Sequence, residues 1–292
     1  MIGPLYLILL SLRPKQWIKN LFIFPALLFS KHLFDPEVLL TAVAAFIIFC
    51  FLSGSVYLFN DICDREEDRR HPEKSKRPIA SGLLGLGAAK TAMVIFALAS
   101  LGAALLVNLN FALVGFGYLA VQISYGLFLR QMVLLDVFAI ASGFFLRVYA
   151  GAQAISVPIS SWLLLCTIFL SLFLALGKRR SEMMLLGKEP AGQRRVLQRY
   201  DLWLLDQMVS VVTSGTVLSY SLYTLSPETV DRFQTRNLWL TIPLVLFGVF
   251  RYLLLIYQNQ EGGSPENILL TDRPLMATVL LYLLVVVAVL YF

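Results

Sequence analysis

Hydrophobic stretches of about 20 residues recur along the whole chain and are separated by polar connections. A helix that crosses a bilayer needs a stretch of about this length. The pattern predicts nine membrane-spanning helices, near residues 19–34, 37–59, 86–107, 110–129, 133–154, 158–177, 204–225, 238–257 and 274–292. Pro25 interrupts the first of these stretches, and Trp17 with Lys19 just before it is typical of a membrane interface.

Composition supports an integral membrane protein. Of 292 residues, 58% are hydrophobic and only 14% are charged, with a mean hydropathy of +0.76. One soluble core cannot bury that much apolar surface. No linker or short repeat divides the chain, so we expect one all-α membrane domain over 1–292. The N-terminus lacks the basic start and small-residue cleavage site of a signal peptide, and residues 5–17 are expected to form a helix half-submerged in the membrane surface.

Positive charge is distributed unevenly between the two sides of the predicted bundle. With the N-terminus in the cytoplasm, 19 of the 24 Lys and Arg residues fall on the inner side and three on the outer side. The positive-inside rule therefore predicts that the N-terminus and the long polar connections are cytoplasmic and that the C-terminus is outside. We expect the membrane to be the plasma membrane. The net charge of +6 follows from this asymmetry and gives no indication of nucleic-acid binding.

The inner connections at 60–85, 178–203 and 258–273 are long and polar, and we expect them to form a cytoplasmic cap. Long loops in compact domains often carry function. Cys50, Cys63 and Cys166 lack metal-ligand spacing and are expected to be free thiols.

The first inner connection carries the sequence "NDICDREEDRRHPEKSKRPIASG" over 60–82. A solvated loop would explain its Lys and Arg but not five carboxylates in nine residues at a helix C-terminus, where the helix dipole disfavours negative charge. If the helix continues, one face carries the oxygens of Asn60, Asp61, Asp64 and Asp68. Carboxylate and amide oxygens suit Mg²⁺, which proteins usually hold together with substrate phosphates. The following cations, Arg69, Lys74, Lys76 and Arg77, suit the remaining phosphate charge.

This motif resembles the first aspartate-rich motif of the UbiA superfamily of intramembrane prenyltransferases. The stretches "LRPKQWIKNLFIFPALLF", "LLDVFAIASGFFLRVYAGA" and "GKRRSE", taken with the motif, are similar to the decaprenyl-phosphate phosphoribosyltransferase branch. The resemblance extends over about residues 11–280. It implies that 5-phosphoribose passes from phosphoribosyl diphosphate to a polyprenyl phosphate, with Mg²⁺ as cofactor, giving a precursor of cell-wall arabinose donors.

One departure from the wider superfamily bears on the substrate. Aromatic prenyltransferases of the superfamily carry a second D-x-x-x-D motif after the sixth span, where this chain reads "GKRRSEMMLLGKEP". Lys178 and Glu182 are four residues apart and share a helix face beside Arg179. We expect these residues to act in catalysis, with Lys178 and Arg179 binding substrate phosphate directly.

Further candidate ligands of the substrate lie in or near the spans. Arg147 is mid-span, in a stripe with Asp136, Ile140 and Gly143, and is predicted either to bind phosphate or a buried partner or to snorkel to the interface. The other candidates are Lys19, Asn20, Tyr125 and Arg130. Lys19 is equally explained as an interface anchor, and Arg130 as a positive-inside residue.

Three other functional classes compete with this interpretation. An aromatic prenyltransferase predicts the second aspartate motif, and a transporter predicts inverted repeats. A lipid-binding assembly protein does not need the acidic helix face. The chain length of the isoprenoid is open, and so is whether the protein is a homo-oligomer, because lipid-facing and subunit-facing stripes look alike.

Overall fold

The computed structural model describes residues 3–186, 199–258 and 265–292. All regular structure in these ranges is helical. The α-helices are α1 Pro4–Ser11, α2 Pro25–Leu28, α3 Pro36–Cys63, α4 Arg65–Arg69, α5 Leu86–Val107, α6 Leu109–Leu127, α7 Leu135–Ala154, α8 Ser161–Leu186, α9 Leu202–Leu225, α10 Pro227–Phe233, α11 Ile242–Gln258, α12 Pro265–Thr271 and α13 Arg273–Tyr291. The all-α membrane fold is as predicted.

Eight helices in the described ranges are long and apolar enough to cross a membrane, one fewer than the predicted nine. The missing one is the stretch at 19–34. A 3₁₀ helix, Pro14–Ile23, and the four-residue α2 occupy this region. Proline lacks an amide hydrogen and its ring collides with the preceding helical turn, so Pro14 and Pro25 break the segment into pieces. The predicted surface helix over 5–17 is shorter for the same reason, because α1 ends at Ser11.

Clustering of backbone contacts divides the chain into two compact units. Unit 1 comprises Met1–Met132 and Leu146–Pro158, and unit 2 comprises Val133–Phe145 and Ile159–Phe292. The first half of α7 therefore belongs to unit 2 and its second half to unit 1. The prediction of a single domain with a cytoplasmic cap stays a prediction.

Unit 1 is organised around α3, which packs against α5, α6 and the 3₁₀ helix. Asp35 caps α3 by accepting a hydrogen bond from the amide of Glu37, and Pro36 occupies the first helical position, where its missing donor is not needed. Aromatic side chains of α3 and α6 meet in the core, with the rings of Phe49 and Tyr118 5.4 Å apart. This packing holds the middle of α3 against α6, and the acidic motif begins at the C-terminal end of α3.

Unit 2 contains the paired helices α8 and α9 and the paired helices α11 and α13. Helix α8 runs nine residues beyond its predicted end at 177, so Lys178 to Glu182 are helical. Asp272 caps α13: it accepts hydrogen bonds from the amide of Leu275, at 2.8 Å, and from the Arg251 guanidinium. The bonds from Arg251 hold the pKa of Asp272 below its usual value.

Candidate active site

The acidic motif of unit 1 lies where α3 passes into α4. Helix α3 ends at Cys63 and Asp64 occupies the junction, yet the i to i+4 pattern persists across it. The amide of Asp64 donates to the carbonyl of Asn60 at 2.8 Å, and the amide of Asp68 donates to the carbonyl of Asp64 at 2.8 Å. The predicted continuation of the helix is thus nearly complete, and Asn60, Asp64 and Asp68 lie on successive turns.

Each aspartate of the motif is paired with at least one guanidinium. Asp61 is buried and pairs with Arg13 and with Arg77 Nη1, the latter at 3.1 Å. The same Arg77 nitrogen lies 2.5 Å from Asp68 Oδ2, and Arg130 Nη1 lies 2.5 Å from Asp64 Oδ1. The sequence predicted Arg77 and Arg130 as site residues, and the structure brings both to the motif. It also brings Arg13, which the sequence analysis did not include.

The loop after the motif is held by its own polar groups. His71 Nδ1 accepts hydrogen bonds from the amides of Glu73 and Lys74, at 3.2 and 3.4 Å. Arg69 Nε donates to the Ala80 carbonyl at 3.0 Å, which ties the two ends of the loop together. Exposed Lys76 pairs with Glu73. Lys74 begins a short 3₁₀ turn and is half-buried, and its role as a phosphate ligand stays a prediction.

A second polar network of unit 1 lies inside the bundle. Arg147 is buried, and its guanidinium donates to Asn20 Oδ1 at 2.7 Å and to the Tyr118 hydroxyl at 2.8 Å. Asn20 is fully buried and donates in turn to Ser53 Oγ at 3.1 Å. Arg147 therefore has buried partners and does not snorkel. The Asn20 amide thus connects α3 and α7, and its predicted role in reaching a substrate phosphate stays a prediction.

Gly126 allows α6 to approach the motif closely. A Cβ atom at this position would lie 2.8 Å from Asn60 Oδ1 and 2.9 Å from the Phe59 ring. Gly126→Ala should therefore displace Asn60 and lower the free energy of unfolding by about 1–3 kcal/mol through overpacking. The matched control is Gly117→Ala on the same helix, where a Cβ would meet no atom within 4 Å. Equal melting temperatures for the two variants in detergent would contradict the close contact.

Unit 2 contains a series of polar and charged side chains, each in contact with the next, that begins at buried groups and ends at the partly exposed Lys178. Tyr200 donates a hydrogen bond to Asp136 Oδ1 at 2.6 Å, and Asp136 Oδ2 lies 2.6 Å from Arg179 Nε. Arg179 also pairs with Glu182, and Lys178 Nζ lies 3.9 Å from Glu182 Oε1. Burial and the bond to Asp136 raise the pKa of the Tyr200 hydroxyl, so it stays a donor at neutral pH. The expected pairing of Lys178 with Glu182 on one helix face is present.

The two cations of this polar series, Lys178 and Arg179, differ in how far their side chains are buried. The Arg179 side chain is 0% exposed, whereas that of Lys178 is 34% exposed. The guanidinium of Arg179 is fully buried between the carboxylates of Asp136 and Glu182, and its direct contact with substrate phosphate stays a prediction. The sequence missed Asp136 and Tyr200 as its partners. Asp136 was noted only as part of the Arg147 stripe, yet it lies in unit 2 and Arg147 in unit 1.

Lys19 and Tyr125 are half-buried in unit 1, Lys19 in the 3₁₀ helix and Tyr125 in the last turn of α6. Their roles in substrate binding stay predictions. Asp206 of α9 accepts hydrogen bonds from Arg180 Nε at 2.6 Å and from the Tyr257 hydroxyl at 2.9 Å. It is thus part of a separate structural cluster of unit 2.

Comparison with known proteins places these features in a family. Residues 20–179 match the model of the UbiA prenyltransferase family. A decaprenyl-phosphate phosphoribosyltransferase of Corynebacterium glutamicum is 33% identical, covering 96% of this chain and 86% of its own. Another, of Mycolicibacterium smegmatis, is 34% identical, covering 97% of this chain and 92% of its own.

Solved structures support the same fold. A UbiA homolog from Archaeoglobus fulgidus bound to GPP and Mg²⁺ superposes with a TM-score of 0.74 at 22% identity, covering 98% of this chain and 100% of its own. At that identity the likeness speaks for the fold alone. The family-model match and the near full-length relatives show that this chain belongs to the UbiA prenyltransferase family.

Proposed function

We propose that this protein transfers 5-phosphoribose from phosphoribosyl diphosphate to a polyprenyl phosphate and releases pyrophosphate. The observation that carries the proposal is the identity of 33–34%, along nearly the whole chain, to two decaprenyl-phosphate phosphoribosyltransferases. The unit 1 motif supports it, because an acidic helix end bordered by arginines suits a diphosphate with its metal.

Mg²⁺ fits the donor set of the motif when substrate completes it. The predicted ligands Asn60, Asp61, Asp64 and Asp68 supply hard oxygens where α3 passes into α4. In the described residues no group of three His, Cys, Asp or Glu side chains is already arranged around a metal position. Mg²⁺ is usually held by one or two carboxylates and substrate phosphates, so a preformed protein cage is not required. When bound, the ion would neutralise charge on the departing diphosphate.

The chemistry demands alignment and charge neutralisation more than acid–base catalysis. A phosphate oxygen of the lipid attacks the anomeric carbon of the ribose, and the bond from that carbon to the diphosphate breaks. The nucleophile is already an anion, so no strong general base is needed. Two highly anionic substrates repel each other in a medium of low dielectric constant, and arginines beside the motif, such as Arg77 and Arg130, would offset this repulsion.

Lys178 is the partly exposed end of the polar series in unit 2 and is proposed to bind substrate phosphate. Lys178→Ala should raise KM for phosphoribosyl diphosphate or for the lipid phosphate by about one to two orders of magnitude, because a charge-assisted contact contributes about 1.5–3 kcal/mol. Added Mg²⁺ should not restore the rate, since the lost cation has a fixed position. Steady-state kinetics with each substrate varied in turn checks this, with Lys90→Ala on α5 as the matched control. Unchanged KM values for both substrates would exclude Lys178 from binding.

The orientation predicted from charge places the motif in the cytoplasm of a plasma-membrane protein. Two exposed positions test it: Cys63 beside the motif, and Glu228 in α10. In intact cells, a membrane-impermeant maleimide should label Glu228→Cys and leave Cys63 of the wild-type protein unlabelled until the membrane is permeabilised. Labelling of Cys63 from outside would reverse the orientation and the side of the active site.

The function is tested by incubating the purified protein with Mg²⁺, phosphoribosyl diphosphate and a polyprenyl phosphate. Mass spectrometry should find a lipid that carries one added phosphoribosyl group, and pyrophosphate should form in equal amount. Failure to form this lipid under conditions in which the protein prenylates an aromatic acid would replace the proposal with the aromatic prenyltransferase function.

A further inference from the structure

A groove on the membrane-facing surface of unit 2 lies between α9 and α11, both of which are long and apolar enough to span a membrane. Its volume is about 460 Å³, and pockets that bind small ligands occupy roughly 300–1,000 Å³. Val209, which is buried in the core of the unit, lines its floor, and the exposed side chains of Phe250 and Leu254 line its α11 wall. The groove is therefore open to the lipid.

Three short hydroxyl side chains form the α9 wall of the groove, and each already has a hydrogen-bond partner. Ser210 and Ser214 donate to the carbonyls one turn earlier at 2.9 and 3.0 Å, and Thr213 does the same at 2.7 Å. Because these donors are satisfied within the helix, an apolar chain can cover them without breaking a hydrogen bond. Their small size beside the bulky Phe250 leaves the space that forms the groove.

The length of the groove matches one leaflet of a bilayer. Its lining on α11 extends from Phe250 to Gln258, which is about 12 Å at a rise of about 1.5 Å per residue. One leaflet contributes about 15 Å of the hydrocarbon core, which is about 30 Å thick. A helix from a second copy of the chain would follow α9 and α11 across both leaflets, whereas an acyl chain occupies one. The dimensions therefore favour a lipid acyl chain.

The groove ends at a polar cluster, where α9 begins and α11 ends. Tyr257 lines the groove, and its hydroxyl donates to Asp206 Oδ1 at 2.9 Å. The same oxygen lies 2.6 Å from Arg180 Nε, and the Arg180 guanidinium lies 3.7 Å from the centre of the Tyr257 ring. Trp203 in the first turn of α9 is 68% exposed, and an exposed tryptophan at a helix end is typical of the interface at which lipid head groups lie.

The cluster carries one positive and one negative charge, and the negative charge is the more accessible. The side chain of Asp206 is 31% exposed and that of Arg180 is 7% exposed. A head group with a primary ammonium and a phosphate complements this arrangement: the ammonium donates to the carboxylate of Asp206, and the phosphate accepts from the exposed amide of Gln258, with the guanidinium behind. A purely anionic head group would instead face the Asp206 carboxylate.

We propose that the groove between α9 and α11 binds a phospholipid with an ethanolamine head group. One acyl chain lies along Ser210 and Ser214, and the ammonium lies on Asp206. The proposal does not depend on the reaction assigned to the protein.

Native mass spectrometry of the detergent-purified, full-length protein with added dioleoyl phosphatidylethanolamine tests the groove. Ser214→Phe fills it and should weaken lipid binding about tenfold or more, because the acyl chain loses its apolar contacts. Val211→Phe is the control and should bind as the wild type does, since it adds the same ring to an exposed position of α9 outside the groove. Asp206→Asn should weaken binding about ten- to a hundredfold through loss of a charge-assisted contact. The wild type should bind this lipid more tightly than dioleoyl phosphatidylglycerol.

Thermal unfolding of each variant separates loss of binding from loss of fold, and if Asp206→Asn or Ser214→Phe does not fold, the other decides. Weaker binding by the folded variant, with Val211→Phe unchanged, supports the proposal. Equal binding by Ser214→Phe and Val211→Phe overturns it, and so does tighter binding of phosphatidylglycerol by the wild type. A Ser214→Phe variant that changes the oligomeric mass but not lipid binding would assign the groove to a second copy of the chain and also overturn it.

Discussion

Replacing Asp64 or Asp68 with asparagine should reduce phosphoribosyl transfer at least about 100-fold, because each change removes a charge from the proposed diphosphate site. Asparagine keeps the size of the side chain, and Arg130 and Arg77 remain able to hydrogen-bond to its oxygen. We therefore expect both variants to insert and purify as the wild type does. Initial rates of lipid product at saturating substrate are the measurement.

The control for this pair is Glu67→Gln, one residue before Asp68, whose side chain is exposed on α4. It removes the same charge from the same short helix and should keep most of the activity. Normal turnover in both aspartate variants would remove the motif from the mechanism.

Asp136→Asn should be the most destabilising conservative change in unit 2. It leaves the fully buried Arg179 facing a neutral amide on one side, and breaking a buried ion pair costs about 3–5 kcal/mol. The variant should also lose activity, because Arg179 would no longer hold Glu182 beside Lys178. Thermal or denaturant unfolding in detergent measures the first effect and the transfer assay the second.

Asp201→Asn is the matched control, since Asp201 is exposed at the start of α9 and its side chain makes no capping hydrogen bond. It should unfold as the wild type does. Equal stability of Asp136→Asn and Asp201→Asn would show that the buried pair contributes nothing to the fold.

Local periodicity was sufficient to predict much of the fold and one half of the candidate site. The apolar stretches predict eight of the spans, and the spacing by four predicts that Asn60, Asp64 and Asp68 lie on successive turns. The first predicted span, at 19–34, is not confirmed as one continuous helix and shows the limit of hydropathy, because Pro25 separates the 3₁₀ helix from α2 without lowering the apolar content.

Contacts between distant segments could not be read from the sequence. Arg13 lies 48 residues before Asp61, and nothing in its local pattern distinguishes it from an interfacial cation. Only its isolation along the sequence sets Arg13 apart: it is the first arginine of the chain, and the next is Arg65. For Arg179, the helical pattern gave its neighbours on α8 but not its burial, which depends on Asp136 of α7 and Tyr200 before α9.

The central claim is that this aspartate-rich, arginine-bordered motif transfers phosphoribose to a lipid phosphate. Its most direct test is a competition in one reaction. Wild type and Asp64→Asn are each given Mg²⁺ with phosphoribosyl diphosphate, a polyprenyl phosphate, a prenyl diphosphate and an aromatic acid, and all lipid products are identified by mass spectrometry. We predict phosphoribosylated lipid phosphate as the main product of the wild type and its near absence with Asp64→Asn. A prenylated aromatic acid as the main product, or equal phosphoribosylation by both proteins, would contradict the account.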